Sequence, residues 1–201
     1  MANTVFLIRH GLTDWNQERR YCGSADIDLN GRGKKETRCL AKRLKRKTID
    51  RVYASDRRRA LRTAAMLFKR AEIEKMPDLR EVCFGIFEGL TYGQIMQRYP
   101  VLYRGWLKNP ALVKVPEAED MRAFKKRVLR AFKRILACNY NQTAAVITHG
   151  GVISVFINSI LKSGNFWQNI PDPGSLSIIE YAHGKAKIKL FNDTAHLLRH
   201  Q

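Results

Sequence analysis

Two short apolar runs, each ending in a histidine and a glycine, constrain this chain more than any other feature. Thr4-Val5-Phe6-Leu7-Ile8 leads into Arg9-His10-Gly11, and Ala144-Ala145-Val146-Ile147 leads into Thr148-His149-Gly150. Near-continuous apolar runs of this length, with β-branched members, read as strands buried on both faces, the pattern of a parallel sheet covered by helices. Open sheets of that kind keep their ligand sites beyond the carboxyl ends of the strands. Both histidines fall at that place, one of them beside an arginine. The pair predicts a pocket that holds an anion and attacks it.

The remaining periodicity fits the same architecture. A strand is expected over 3–9, then a Gly/Asp/Asn-rich loop (GSADIDLNGRG) and a basic amphipathic helix over roughly 31–47. A second strand follows at 49–53, and Ser55 is placed to N-cap a helix through about Arg70, with Asp56 near its positive end. Residues 77–90 are irregular, Thr91 opens a short helix, and 97–118, with Pro100, Pro110, Pro116 and Trp106, has the character of a cap or lid. Met121, Phe124, Val128, Leu129, Phe132, Ile135 and Leu136 mark one face of a helix over 120–138. Strand 144–148, helix 151–161 and two last strands, 175–182 and 185–191, joined across His183-Gly184, complete the chain. The expected fold is a three-layer α/β/α sandwich with a mainly parallel sheet, as one domain over residues 1–201.

Charge narrows the partners. Lys and Arg number 37 against 18 Asp and Glu, a formal net charge of +19 and a pI near 10.2, so the surface attracts anions in general. The cations concentrate at 32–47 and 122–134, where they alternate with apolar positions and therefore read as solvated helix faces. Neither cluster is interleaved with exposed aromatics, since Phe124 and Phe132 fall on the apolar face of their helix, and neither belongs to a recognisable nucleic-acid module, so no specific nucleic acid is expected. No apolar run approaches a membrane span, and the N-terminus lacks a secretory pattern. Cys22, Cys39, Cys83 and Cys138 are scattered, without metal-ligand spacing, which fits a reducing cytoplasm and a site with no metal.

Hydrolysis of a phosphomonoester needs a nucleophile, fixed cations on the phosphoryl oxygens and an acid for the leaving alcohol. His10 can attack phosphorus through a neutral imidazole, with Arg9 and His149 stabilising charge. Arg57, Arg58 and Arg59, at a strand-to-helix junction, offer a third cation. Glu81 and Glu88, in a glycine-bearing stretch, offer the acid, since a carboxyl next to a phosphate would have its pKa raised.

RHGLTDWN (9–16), YCGSADIDLNGRG (21–33), YASDRRRALRTA (53–64), LREVCFGIFEGLT (79–91), VPEAEDMRAFKKRV (115–128), VITHGGVI (146–153) and FNDTAHL (191–197) together resemble the histidine phosphatase superfamily, the phosphoglycerate-mutase-like fold. The resemblance runs in order over nearly the whole chain. It implies a phosphatase of a small phosphorylated metabolite, without cofactor or metal, in the branch of α-ribazole phosphatases and broad-specificity phosphatases; a mutase would be a longer chain. It implies His10 as the phosphorylated residue, Arg9 and Arg59 as phosphate-binding arginines, Glu81 as proton donor and acceptor, and His149 as the second phosphate-binding histidine. Thr13, Asn16 and the Gly150 amide are implied to line the phosphate pocket, and Tyr21, Cys22 and Gly23 to contact substrate. Arg57 stands where an apolar residue is usual, PEAED matches the family's turn only at Glu119, and Asp172-Pro173-Gly174 leaves specificity open. Glu88 is read as a loop-fixing alternative to Glu81, His196 as a supporting hydrogen bonder, and His183 and His200 as inert. A homodimer is common for the fold.

Overall fold

The computed structural model describes residues 2–182 and 185–197; the expected His183-Gly184 connection and His200 lie outside them. Within those residues six strands form one sheet in the order β3-β2-β4-β1-β5-β6. These are β1 (Ala2–Arg9), β2 (Arg51–Ala54), β3 (Ile73–Lys75), β4 (Thr143–Thr148), β5 (Leu176–Ala182) and β6 (Lys185–Asp193). The first four run parallel; β5 pairs antiparallel with β1, and β6 antiparallel with β5. Seven helices accompany them: α1 (Asp14–Gln17), α2 (Gly31–Leu44), α3 (Arg58–Leu67), α4 (Tyr92–Arg98), α5 (Pro100–Lys108), α6 (Met121–Cys138) and α7 (Gly150–Leu161).

The strands feed two cores by simple alternation. Phe6 and Ile8 of β1, Val52 and Ala54 of β2, and Ala145 and Ile147 of β4 join Leu40 and Leu44 of α2 and Ala60 and Ala64 of α3. Val5 and Leu7, Tyr53, and Ala144 and Val146 point the other way, into a larger core with α6, α7 and the aromatic residues of 84–106. Successive strand side chains face opposite sides, so a strand covered on both sides must be apolar throughout. Each of the larger apolar side chains buried this way (Val, Leu, Ile, Phe) is worth roughly 1.5–3 kcal/mol, and each alanine methyl roughly 0.8 kcal/mol. The layering α2/α3, sheet, α6/α7 follows. On the edge strand β6, Lys185, Lys187 and Lys189 are exposed, which discourages pairing with another sheet.

Three local expectations change. Ser55 does not cap α3: the N-cap is Arg57, without a side-chain bond, and the helix covers 58–67. The carboxylate of Asp26 takes the Arg58 N–H at 2.7 Å instead, while Asp56 pairs with Arg80. Helix α2 ends at Leu44, ahead of the expected 47, because Lys45, Arg46 and Lys47 offer no apolar residue to bury. Strand β3 and helices α1 and α5 are too short, or too interrupted by proline, to declare a period. Thr91 does cap α4, through a reciprocal pair of bonds with Gln94. Within 97–118, α5 buries Tyr103 and Trp106 in the larger core, against Tyr21, Phe84 and Phe87.

Candidate active site

Parallel pairing of β1 with β4 sets Arg9 opposite Thr148, so His10 and His149 leave neighbouring strands side by side. The His10 N–H continues the ladder to the Thr148 carbonyl at 2.9 Å. Their ring centroids lie 5.2 Å apart at 62°, and the residues are 3% and 0% exposed. His10 Nδ1 is 2.8 Å from the Gly11 carbonyl oxygen. That oxygen can only accept, so Nδ1 carries the proton and Nε2 keeps its lone pair. His149 Nε2 is bonded to Ser55 Oγ at 2.8 Å, and its Nδ1 has no partner among the described residues. Burial first, and then the Arg59 guanidinium, push both imidazoles well below their usual pKa; Arg9 acts in the same direction. Both rings are neutral at neutral pH.

The three adjacent arginines part company. Arg58 is exposed, Arg57 half-buried, and Arg59 is 0% exposed. Arg59 donates to the carbonyls of Ala25 (2.7 Å), Gly23 (2.9 Å) and Cys22 (3.4 Å), while its Nε has no partner among the described residues. The same loop is held from its amide side by Glu88. Its Oε1 accepts from Ser24 N (2.8 Å), Ser24 Oγ (3.1 Å) and Phe84 N (3.1 Å), and its Oε2 from Gly23 N (3.2 Å) and Ala25 N (3.4 Å). A guanidinium thus holds the carbonyls of loop 22–25 and a carboxylate its amides. Position 23 has no room for a side chain, since a Cβ there would meet the Val82 carbonyl oxygen at 1.9 Å. Cys22 lies in this loop, its thiol pushed up to about 11 by burial.

Glu81 takes a different place. Its Oε2 accepts from the Gly151 N–H at the start of α7 (2.8 Å) and its Oε1 from Val82 N (3.0 Å). Burial raises its pKa above the usual carboxylate value, against those two bonds and the charges of Arg9 and Arg59. The glycine pair makes this approach possible. A Cβ on Gly151 would stand 2.5 Å from Glu81 Oε1, and one on Gly150 3.2 Å from the Arg9 guanidinium. Arg9 is anchored at Nη1 by the Pro171 carbonyl (2.5 Å), and its buried Nε has no partner among the described residues. An acid and a cation therefore crowd the positive end of a twelve-residue helix.

Around this centre, Thr13 and Asn16 form a capping box for α1, fixing the loop after His10. Tyr21 shares a 2.6 Å hydroxyl bond with Tyr103 and packs against Phe84 and Trp106. Glu119 is taken up by Arg127. His196 Nε2 meets the Gly174 carbonyl at 3.0 Å, and the Gly174 N–H donates in turn to the His10 carbonyl at 2.9 Å, which ties the 195–197 turn to the end of β1. Two supports escaped sequence reasoning. Ser55 holds His149, and Thr63 Oγ1 accepts the Gly11 N–H at 3.0 Å. Thr63 stands one helical turn after Arg59, the spacing that puts two side chains on one face. Among the described residues no three His, Cys, Asp or Glu side chains gather as metal ligands.

The family model of the histidine phosphatase superfamily, branch 1, matches residues 5–194. The chain belongs to this superfamily. It is 29% identical over 197 residues to phosphoserine phosphatase 1 of Hydrogenobacter thermophilus, an alignment covering 96% of this chain and 93% of that one. It superposes on Bacillus stearothermophilus YhfR with a TM-score of 0.90 at 28% identity, over 97% and 99% of the two chains. The α-ribazole phosphatase of Shigella flexneri gives 0.84 at 28%, over 95% and 96%. The fold is therefore phosphoglycerate-mutase-like, and the chain is a phosphoric monoester hydrolase.

Proposed function

We propose that this phosphatase transfers the phosphoryl group of a small phosphorylated metabolite to His10 Nε2 and then to water. In the first step the Nε2–P bond forms as the ester P–O bond breaks, and Glu81 gives its proton to the leaving oxygen. In the second, water attacks phosphorus, Glu81 recovers the proton, and the N–P bond breaks to release inorganic phosphate. Arg9, Arg59, neutral His149 donating a hydrogen bond, and the Gly150 amide hold the phosphoryl oxygens. Arg59 also fixes the loop carrying Tyr21, Cys22 and Gly23 against the leaving group, with 97–118 as the cap above Tyr21. No step calls on a metal, and four cysteines outside any disulfide suit a cytoplasmic enzyme. α-Ribazole phosphate and phosphoserine, the substrates in the relatives' names, are the first candidates.

One observation carries this reading. The Gly11 carbonyl fixes the His10 tautomer that leaves Nε2 unprotonated, beside arginines that keep the ring neutral. A buried histidine that merely packed would satisfy Nε2 as well. Phosphate release from a panel of phosphomonoesters in EDTA, with wild type and His10→Ala, is the test. Turnover that survives EDTA, disappears in His10→Ala, and gives an acid-labile, base-stable phosphoprotein on quenching is the expected result. Undiminished turnover in a folded His10→Ala variant would overturn the mechanism.

A further inference from the structure

The catalytic centre accounts for few of the 37 basic residues, and their distribution is uneven. Between 32 and 47 stand nine Lys and Arg against a single acid, Glu36. Two of the nine have ionic partners, Arg32 with Glu36 and Arg43 with Asp193; the other seven make no ion pair among the described residues. Helix α6 looks comparable in sequence, with seven cations between 122 and 134, yet the structure pairs three of them. Arg127 meets Glu119, Arg130 meets Asp78 and Arg134 meets Glu74, and Asp120 caps the helix beside them. Because α2 and α6 cover opposite faces of the sheet, no single ligand reaches both.

On α2 the unpaired cations are also aligned. Lys35, Arg38 and Lys42, with Lys45 in helical conformation at the C-cap, follow one another at steps of three and four residues and are all exposed, so they form one stripe about 15 Å long. Three of them, with Arg32, line a groove of about 490 Å³ that reaches Leu197. We infer that this α2 stripe is a binding surface for the phosphodiester backbone of a nucleic acid, read without regard to sequence. A stripe of point charges on long side chains matches a regular row of phosphates. The helix presents no aromatic side chain, so it neither stacks bases nor prefers single strands. An anionic membrane fits less well. The large exposed apolar residues, such as Val101 and Leu112, lie on other elements, and the apolar face of α2 is spent on the sheet. The surface is separate from the site: α2 begins beside the Leu12 loop, and the stripe runs away from it.

Four phosphate contacts imply a log–log salt slope of about −3 to −4 on duplex DNA, so affinity falls on the order of a hundredfold between about 50 and 200 mM salt. The experiment measures anisotropy of a short fluorescein-labelled duplex with three full-length proteins. These are wild type, the α2 variant Lys35→Gln/Arg38→Gln/Lys42→Gln/Lys45→Gln, and the α6 variant Arg122→Gln/Lys125→Gln/Lys126→Gln/Lys133→Gln. The α2 variant is expected to lose most binding and most of the slope. The α6 variant, carrying the same change in net charge, should keep most of both. Circular dichroism and p-nitrophenyl phosphate turnover, unchanged in both variants, report on folding. Equal losses in the two variants would reduce the effect to net charge and overturn the assignment. So would wild-type binding to phosphatidylserine vesicles without binding to the duplex.

Discussion

Two glutamates seven residues apart look interchangeable as the proton donor, and their surroundings predict opposite consequences of the same change. In Glu88→Gln the amide keeps one carbonyl oxygen. Oriented to retain the three bonds at Oε1, it loses the two at Oε2 and turns an NH₂ toward the amides of Gly23 and Ala25. Bonds to a charged acceptor are worth about 1.5–3 kcal/mol each, and these two are long, so the loss is about 2–4 kcal/mol. For a protein of this size that lowers Tm by about 5–15 °C. Glu81→Gln loses one bond and at the same time removes a carboxyl that burial disfavours in its charged form, so it costs about 0–1 kcal/mol. Its effect falls on chemistry: a loss of roughly 10²–10⁴-fold in kcat for an alkyl phosphate, whose leaving oxygen needs a proton, and less for p-nitrophenyl phosphate. Thermal melts and steady-state kinetics at 25 °C on both variants decide the matter. A Glu88→Gln protein that melts like wild type yet has lost the alkyl phosphate preferentially would refute the reasoning and exchange the two roles.

Titration should follow the buried histidines. Their folded pKa values lie well below 6.5, so below that pH the unfolded chain binds more protons. Stability is complete above about pH 6.5 and falls as pH drops, by up to about 1.4 kcal/mol per unit for each ring. Glu81, with its raised pKa, opposes this with one group against two. Melts at pH 8 and pH 5 should show the lower Tm at pH 5, with a smaller difference in His10→Asn; a flat profile would mean that the rings are not held neutral. In kcat/KM the acid limb should lie well below 6.5, and the alkaline limb, set by Glu81, should vanish in Glu81→Gln. Arg59→Lys keeps the charge and loses the fork that spans the Gly23 and Ala25 carbonyls, so a cost of about 2–3 kcal/mol and a fall in kcat are expected by calorimetry and kinetics. Unchanged stability there would show that the charge alone matters.

The long elements were legible because their signals are local. β1 and β4 are apolar throughout, and α6 repeats Phe124, Val128, Phe132 and Ile135 on one face, so burial on two sides or on one could be read from spacing. Ser55 shows the limit. A serine after a strand and before a helix is a good cap by its neighbours, yet here its hydroxyl serves a histidine 94 residues later in the chain. Glu88 and Arg59 show the same limit, since what separates fixing a loop from protonating an oxygen is which backbone groups fold against the carboxylate.

By itself, then, the sequence determined the chemistry available: two histidines at strand ends, an arginine beside the first, three more at a strand-to-helix junction, two candidate acids, and a surface rich in cations. Tertiary structure decided the assignments. Pairing β1 with β4 brought the imidazoles within 5.2 Å, burying Arg59 alone of its triplet gave it the loop carbonyls, and ion pairs took up Arg127, Arg130 and Arg134 of α6 while leaving the Lys35, Arg38, Lys42 row of α2 unpaired among the described residues. The reason is physical. Propensity and periodicity act over a few residues, whereas a proton's position and a charge's partner depend on groups brought together from distant parts of the chain.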